Sequence, residues 1–246
     1  MARRRNMEEV FTTRNKKHVK IKTICLILLS ALAVLAGAFL IWTAFYYHAD
    51  NTAREVLQSD SSIETSGNLI ILPAEDSKAE FIFYPGAKVE AISYLPLLEK
   101  IRSYADITRV LVKMPRNMAF LNMNAADSVI GKYPEIKTWY IGGHSLGGAM
   151  ASSYASKNQD RVSGLILLGA YVYGDYPPEK ALTVYGTLNA DLEKKIDYTD
   201  NIVKIEGGNH AQFGNYGPQK GDLPATITAE EQQNITAEAV AEFLRR

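Results

Sequence analysis

The chain has little with which to build a metal or redox centre. Its 246 residues include one cysteine, Cys25, so it can form no internal disulfide and no cysteine-based metal cluster. No phosphate-binding glycine loop, no dinucleotide fingerprint and no histidine–carboxylate spacing for zinc occurs, and neither a metal nor a cofactor is implied. Charge of one sign is lacking overall, with a formal net charge of zero. That balance argues against nucleic acid as a partner. Internal repeats and low-complexity tracts are missing as well. Histidine is scarce, at four residues, which narrows the search for a general base.

What is there begins with an asymmetry that the zero total hides. Arg3, Arg4, Arg5, Arg14, Lys16, Lys17, Lys20 and Lys22 are opposed near the N-terminus only by Glu8 and Glu9. Directly behind them Ile24 to Phe45 runs without a charge, and a bilayer takes ~20 apolar residues to cross. Trp42, Tyr46 and Tyr47 close the run, where amphipathic rings suit the headgroup region. The positive-inside rule makes residues 1–23 a basic cytoplasmic tail and 24–47 a transmembrane signal anchor, with all later residues outside. A cleaved signal peptide is the competing reading, with Ala36-Gly37-Ala38 as its small-residue site. Such peptides have apolar regions of ~7–15 residues, and this run is longer and ends in bulky aromatics. Cys25 reads as an apolar residue of the anchor, since bulky Ile24 before it rules out a lipobox.

Residues 48–67 are polar and read as a linker, leaving 68–246 as the folded domain. There, short runs rich in β-branched and aromatic residues predict strands: Leu69–Leu72, Ala79–Tyr84, Thr108–Lys113, Thr138–Gly142, Val162–Leu168, Leu182–Tyr185 and Ile202–Ile205. Between them lie segments with three-to-four spacing. Ala91, Tyr94, Leu95, Leu98, Ile101 and Tyr104 make one apolar face; a second spans Ala119 to Ile130 and a third Ala149 to Lys157. Thr228 followed by Glu231 gives the last helix a capping box. Strands alternating with helices predict an α/β fold, a mostly parallel sheet with helices on both faces.

Chemistry concentrates at Gly143-His144-Ser145-Leu146-Gly147, a G-x-S-x-G pentapeptide between a predicted strand and a predicted helix. That is the setting of a nucleophile elbow, in which Ser145 sits on a sharp turn that bulky neighbours would obstruct. A serine hydroxyl is a poor nucleophile until a base takes its proton. His18 lies in the predicted tail, His48 beside the membrane, and His144 next to Ser145 on another side of the turn. His210 remains as the base, on the glycine-rich loop Glu206-Gly207-Gly208-Asn209-His210 after the last predicted strand. Loops at that edge of a parallel sheet converge on the ligand crevice.

With these residues in hand, the stretch from Asn68 onward resembles the alpha/beta-hydrolase family, particularly its small, lidless, dienelactone-hydrolase-like members. The segment Gly207 to Gly214 carries the likeness. Tyr84-Pro85-Gly86-Ala87 is similar to the family's oxyanion loop, with Pro85 where many members have histidine. The resemblance implies Ala87 and Leu146 as the backbone oxyanion donors. It also implies an acid after the strand Leu182–Tyr185, where Gly186-Thr187-Leu188-Asn189 presents an amide instead. Asp191 is the first candidate for that role, Asn189 the second and Asp175 the third, and each aspartate reads equally well as a solvated loop residue. Met114, Met118 and Phe120 fit an apolar acyl pocket or ordinary core packing.

The expected activity is that of a membrane-anchored, extracytoplasmic serine hydrolase cleaving a small-molecule ester or thioester through an acyl-enzyme. Acyltransferases and peptidases share that intermediate. A catalytically weak or inactive hydrolase fold serving as a surface binding module is the rival that Asn189 motivates.

Overall fold

The computed structural model describes residues 2–75, 77 and 79–245, with side chains from Lys22 onward except Ala190. The basic side chains from Arg3 to Lys20 therefore lie outside the described residues. The chain forms two compact units, one up to Phe45 and one from Tyr46. The first unit is a single helix, α1 (Ala2–Ala44). Its Lys22–Ala44 stretch, 23 residues with a mean hydropathy of 2.9, is long and apolar enough to cross a bilayer. Leu26, Leu29, Leu35 and Ile41 are exposed along it.

The second unit is built on one sheet of eight strands: β1 (Glu64–Ser66), β2 (Leu69–Leu72), β3 (Ala79–Tyr84), β4 (Thr108–Val112), β5 (Thr138–His144), β6 (Gly164–Leu168), β7 (Ala181–Gly186) and β8 (Ile202–Ile205). Their order is β1-β2-β4-β3-β5-β6-β7-β8. The first two strands pair antiparallel, and β2 joins β4 antiparallel. Every pairing from β4 through β8 is parallel. The class expected from alternating strands and helices is thus what the sheet displays.

Side chains alternate across each strand, so each strand feeds two cores. On one face Phe81, Phe83, Ile166 and Leu168 meet α3 (Leu95–Tyr104) and α7 (Ala229–Leu244) through Leu95, Leu98, Ile101, Ala237 and Val240. On the other, Ile82, Tyr84, Val110 and Val112 meet α4 (Ala125–Lys132) and α5 (Leu146–Lys157) through Val129, Ala151, Tyr154 and Ala155. The start of α7 carries both bonds of the capping box: the Glu231 N–H donates to Thr228 Oγ1 at 3.1 Å and the Thr228 N–H to Glu231 Oε2 at 2.8 Å.

Residues 48–67, read from composition as a linker, contain regular structure. They belong to the second unit as α2 (Asn51–Ser59) and β1, with Ala53 fully buried and Val56, Leu57 and Ile63 packed on the core. An ion pair of 2.8 Å between Asp60 and Arg102 ties the end of α2 to α3. The polar composition of this stretch conceals a short amphipathic helix whose few apolar residues share one face. Tyr46 and Tyr47, placed by the sequence at the end of the anchor, also fall in the second unit.

Candidate active site

At the end of β5 the backbone turns sharply into α5 through Ser145, at φ 53° and ψ −123°. A side-chain-bearing residue rarely adopts such angles, and the strain is sustained by its surroundings. The Ser145 N–H donates to the Leu168 carbonyl at 3.0 Å. Gly143 and Gly147 press against the Tyr84 carbonyl, where any Cβ would collide with backbone. The spacing of glycines in the pentapeptide therefore has a steric cause. Leu146 begins α5, whose first N–H groups lack intrahelical partners and point toward the turn.

His210 faces the same turn from beyond β8. Its Nδ1 lies 2.9 Å from the Asn189 side-chain amide. An amide can present either its NH2 or its carbonyl to a ring nitrogen. With the carbonyl accepting from Nδ1–H, the lone pair of Nε2 is left available, the arrangement a general base needs. Burial pushes the His210 imidazole below its ordinary range, against the opposing pull of Asp222. Gly169, at φ +54°, makes room for the ring, because a Cβ there would sit 2.9 Å from His210 Nδ1.

Ser145, Leu146, Asn189 and His210 line one cleft of about 360 Å³, with Tyr171 and Lys195 also on its wall. Asp191 reaches the wall too, but its carboxylate is exposed and pairs with Lys194 at 3.3 Å. The partner of His210 is Asn189, the second candidate, and not Asp191, the first. Asp175 is exposed and away from this cleft, with its carbonyl accepting from Gln159. Ala87 lies in the turn after β3, which is held by the Lys88 N–H donating to the Asn117 carbonyl at 2.8 Å. Met114 and Met118 are buried and Phe120 is exposed, none of them on the cleft wall.

Three further residues shape the site: His144, set aside above as the base, and Tyr94 and Asp222, to which the sequence assigned no role there. His144 is fully buried, with Nε2 2.9 Å from the His210 carbonyl and Nδ1 2.8 Å from Tyr94 Oη. A carbonyl can only accept, so Nε2 carries the proton and Nδ1 accepts from the tyrosine. Tyr94 Oη in turn accepts from the Gly86 N–H at 3.0 Å. Burial holds His144 well below the ordinary histidine range, keeping this neutral tautomer. Asp222 accepts from the His210 N–H at 3.2 Å and the Ala211 N–H at 2.7 Å. It stands in Gly221-Asp222-Leu223-Pro224, whose sequence signals only a loop.

Comparison with curated proteins gives no match. Among solved structures, a monoacylglycerol lipase from Paleococcus ferrophilus is similar at 13% identity and a TM-score of 0.50, over 71% of this chain and 99% of that one. A soluble variant of monoglyceride lipase from Saccharomyces cerevisiae, in complex with a substrate analogue, is similar at 8% identity and a TM-score of 0.51, over 75% and 94%. A dienelactone hydrolase from Anabaena variabilis aligns at 14% identity with a TM-score of 0.48, over 74% and 94%. At such identities the likeness shows the fold. Residues 80–234, more than half of the sequence, match the alpha/beta hydrolase family, and they hold the elbow, Asn189 and His210. The chain belongs to the alpha/beta hydrolase family.

Proposed function

We propose that the chain is a serine hydrolase that cleaves a small-molecule ester or thioester through an acyl-enzyme. One observation carries the reading: a strained elbow serine and a histidine held through Nδ1 open onto the same cleft. Ser145 Oγ attacks the acyl carbon while His210 Nε2 takes its proton. The N–H groups of Ala87 and Leu146 receive the charge that develops on the carbonyl oxygen. Collapse of the tetrahedral intermediate expels the alcohol or thiol, protonated by His210. Water then repeats the sequence on the acyl-enzyme, releasing the acid and restoring Ser145.

His210 is suited to this role because its lowered affinity for protons leaves it neutral at physiological pH. Asn189 fixes the ring orientation without supplying charge, so turnover is slower than with a carboxylate there. Ester substrates are in keeping with the lipases that share the fold. Helix α1 supports an anchored enzyme, with the basic segment before Lys22 cytoplasmic, Lys22–Ala44 spanning the cell membrane and the hydrolase domain, which begins at Tyr46, outside.

The test is fluorophosphonate labelling of the full-length protein, together with turnover across an ester chain-length panel. Parent, Ser145→Ala and His210→Ala are compared. Labelling of the parent alone supports the reading. A parent that fails to label, where a known serine hydrolase labels, leaves the domain as a binding module built on an inactive hydrolase fold. Extraction only by detergent, with the domain open to external protease, tests the anchor.

A further inference from the structure

Residues 46–50, one residue beyond the end of α1, reach both the turn that carries Ala87 and the loop that carries Asp222. On one side the Tyr47 N–H donates to the Lys88 carbonyl at 2.7 Å and the Tyr47 carbonyl accepts from the Glu90 N–H at 2.9 Å. The Ala49 N–H adds a bond of 2.8 Å to Glu90 Oε2. These contacts grip the turn that carries Ala87. On the other side Tyr47 Oη accepts from the Lys220 N–H at 3.0 Å, and the Asp50 N–H donates to the Asn215 carbonyl at 2.9 Å. The Tyr47 ring also packs on that of Tyr216, with centroids 5.6 Å apart. Lys220 stands two residues before Asp222, whose carboxylate holds the backbone of His210 and Ala211.

Both loops are irregular. Lys88 adopts a positive φ of 57° without being glycine, and the second loop turns at Gly217 and Gly221, with φ of 79° and 88°. Loops of this kind take their position from tertiary bonds, while oxyanion stabilisation and proton transfer depend on placement to within about 1 Å. We propose that residues 46–50 are a positioning strap, which fixes the oxyanion turn and the histidine loop relative to each other. The inference builds on the hydrolase reading above. Tyr47 acts through Lys88 and Lys220, and it is a positioning residue rather than a catalytic one.

The experiment uses the full-length protein in detergent with two variants. Tyr47→Phe removes only the bond to Lys220, and Tyr47→Pro removes the donor to Lys88 together with the hydroxyl and the ring that packs on Tyr216. Hydrogen exchange is followed at Gly86–Glu90 and at His210–Asp222, alongside kcat and KM on a short-chain ester. Tyr47→Phe is expected to speed exchange at Ala211, whose N–H is bonded to Asp222 and not to Tyr47, and to lower kcat about threefold. Tyr47→Pro is expected to speed exchange in both loops and lower kcat about 10- to 100-fold. KM should stay within about twofold, and β5 and β6 amides should exchange as in the parent. Parent-like exchange in both loops of Tyr47→Pro, or a rise in KM at constant kcat, overturns the strap. The exchange measurement decides the matter even if the parent fails to label, an outcome that would count against the hydrolase reading alone.

Discussion

Replacing Asn189 by aspartate should make the enzyme faster. The amide lies 2.9 Å from His210 Nδ1 and can orient the ring, but it gives nothing to the imidazolium that forms during attack. A carboxylate in the same place would add a full charge. Two unit charges about 4 Å apart interact by about 4 kcal/mol at an effective dielectric near 20. Asn189 is half-buried on an open cleft, so water screens part of this, and the new carboxylate must itself give up hydration. About 1.5–3 kcal/mol remains, or about 10- to 100-fold in kcat/KM. The opposite change in a serine protease triad, aspartate to asparagine, costs about 10,000-fold, which sets the upper limit.

The pH profile gives a second and independent reading of the same substitution. Burial lowers His210 in the parent, so its base form is present down to pH values below the ordinary histidine range, and the acid limb of kcat/KM lies there. A carboxylate at position 189 favours the protonated ring. The limb should move up by about 1–2 pH units in Asn189→Asp. The assay is kcat/KM for a nitrophenyl ester from about pH 4 to 9, with Asp191→Asn and Asp175→Asn as comparisons. Those two should stay within about twofold, because the first carboxylate is exposed and paired with Lys194 and the second lies away from the cleft. If Asn189→Asp gains less than about twofold and its acid limb does not move, His210 is not the base or Asn189 is not its partner.

Gly169→Ala would place a Cβ 2.9 Å from His210 Nδ1 at a residue with φ +54°. It should cost about 1–2 kcal/mol in thermal unfolding and lower kcat at least about tenfold, and a parent-like kcat would show that the ring position there is unimportant. Tyr94→Phe removes the hydroxyl between the Gly86 N–H and His144 Nδ1, leaving two buried groups unpaired. Denaturant unfolding should show a loss of about 1–3 kcal/mol, and an unchanged midpoint would mean that the link is structurally idle. Glu80 is buried on β3, and burial, reinforced by the charge of Glu135, pushes its carboxyl up to about 7 from 4.5. Because its folded-state value is raised, its contribution to stability is full below pH 4.5 and is lost as pH climbs through about 7. Glu80→Gln should therefore melt above the parent at pH 8 by about 1–2 kcal/mol equivalent, with the gap closing by pH 5; a pH-independent gap would contradict this.

The strands and the elbow were legible because each leaves a mark in residue type at fixed spacing. A strand buried on both faces must be apolar throughout, as Leu165–Leu168 is, and a turn as tight as that at Ser145 admits only glycine at Gly143 and Gly147. Elimination among four histidines leaves His210, which lines the same cleft as Ser145. The residue behind it was harder, for a geometric reason. Asn189 is the N-cap residue of α6 (Ala190–Glu193), and although Asn189 and Asp191 both reach the cleft wall, only Asn189 lies within hydrogen-bond distance of the ring. Leu192 decides between them: burying it turns Asp191 toward solvent and leaves Asn189 at the histidine. Preference for a carboxylate ranked chemistry above this packing constraint, which a four-residue helix is too short to display as a pattern. Residues 46–50 were hidden more completely. Most of their bonds run through backbone groups, which every residue type except proline carries alike, and Tyr47, whose side chain reaches Lys220, has the identity that a membrane interface would also select. A site assembled by backbone pairing between segments distant in sequence therefore becomes visible only once the chain is folded, as the bond from Tyr47 to Lys88 shows.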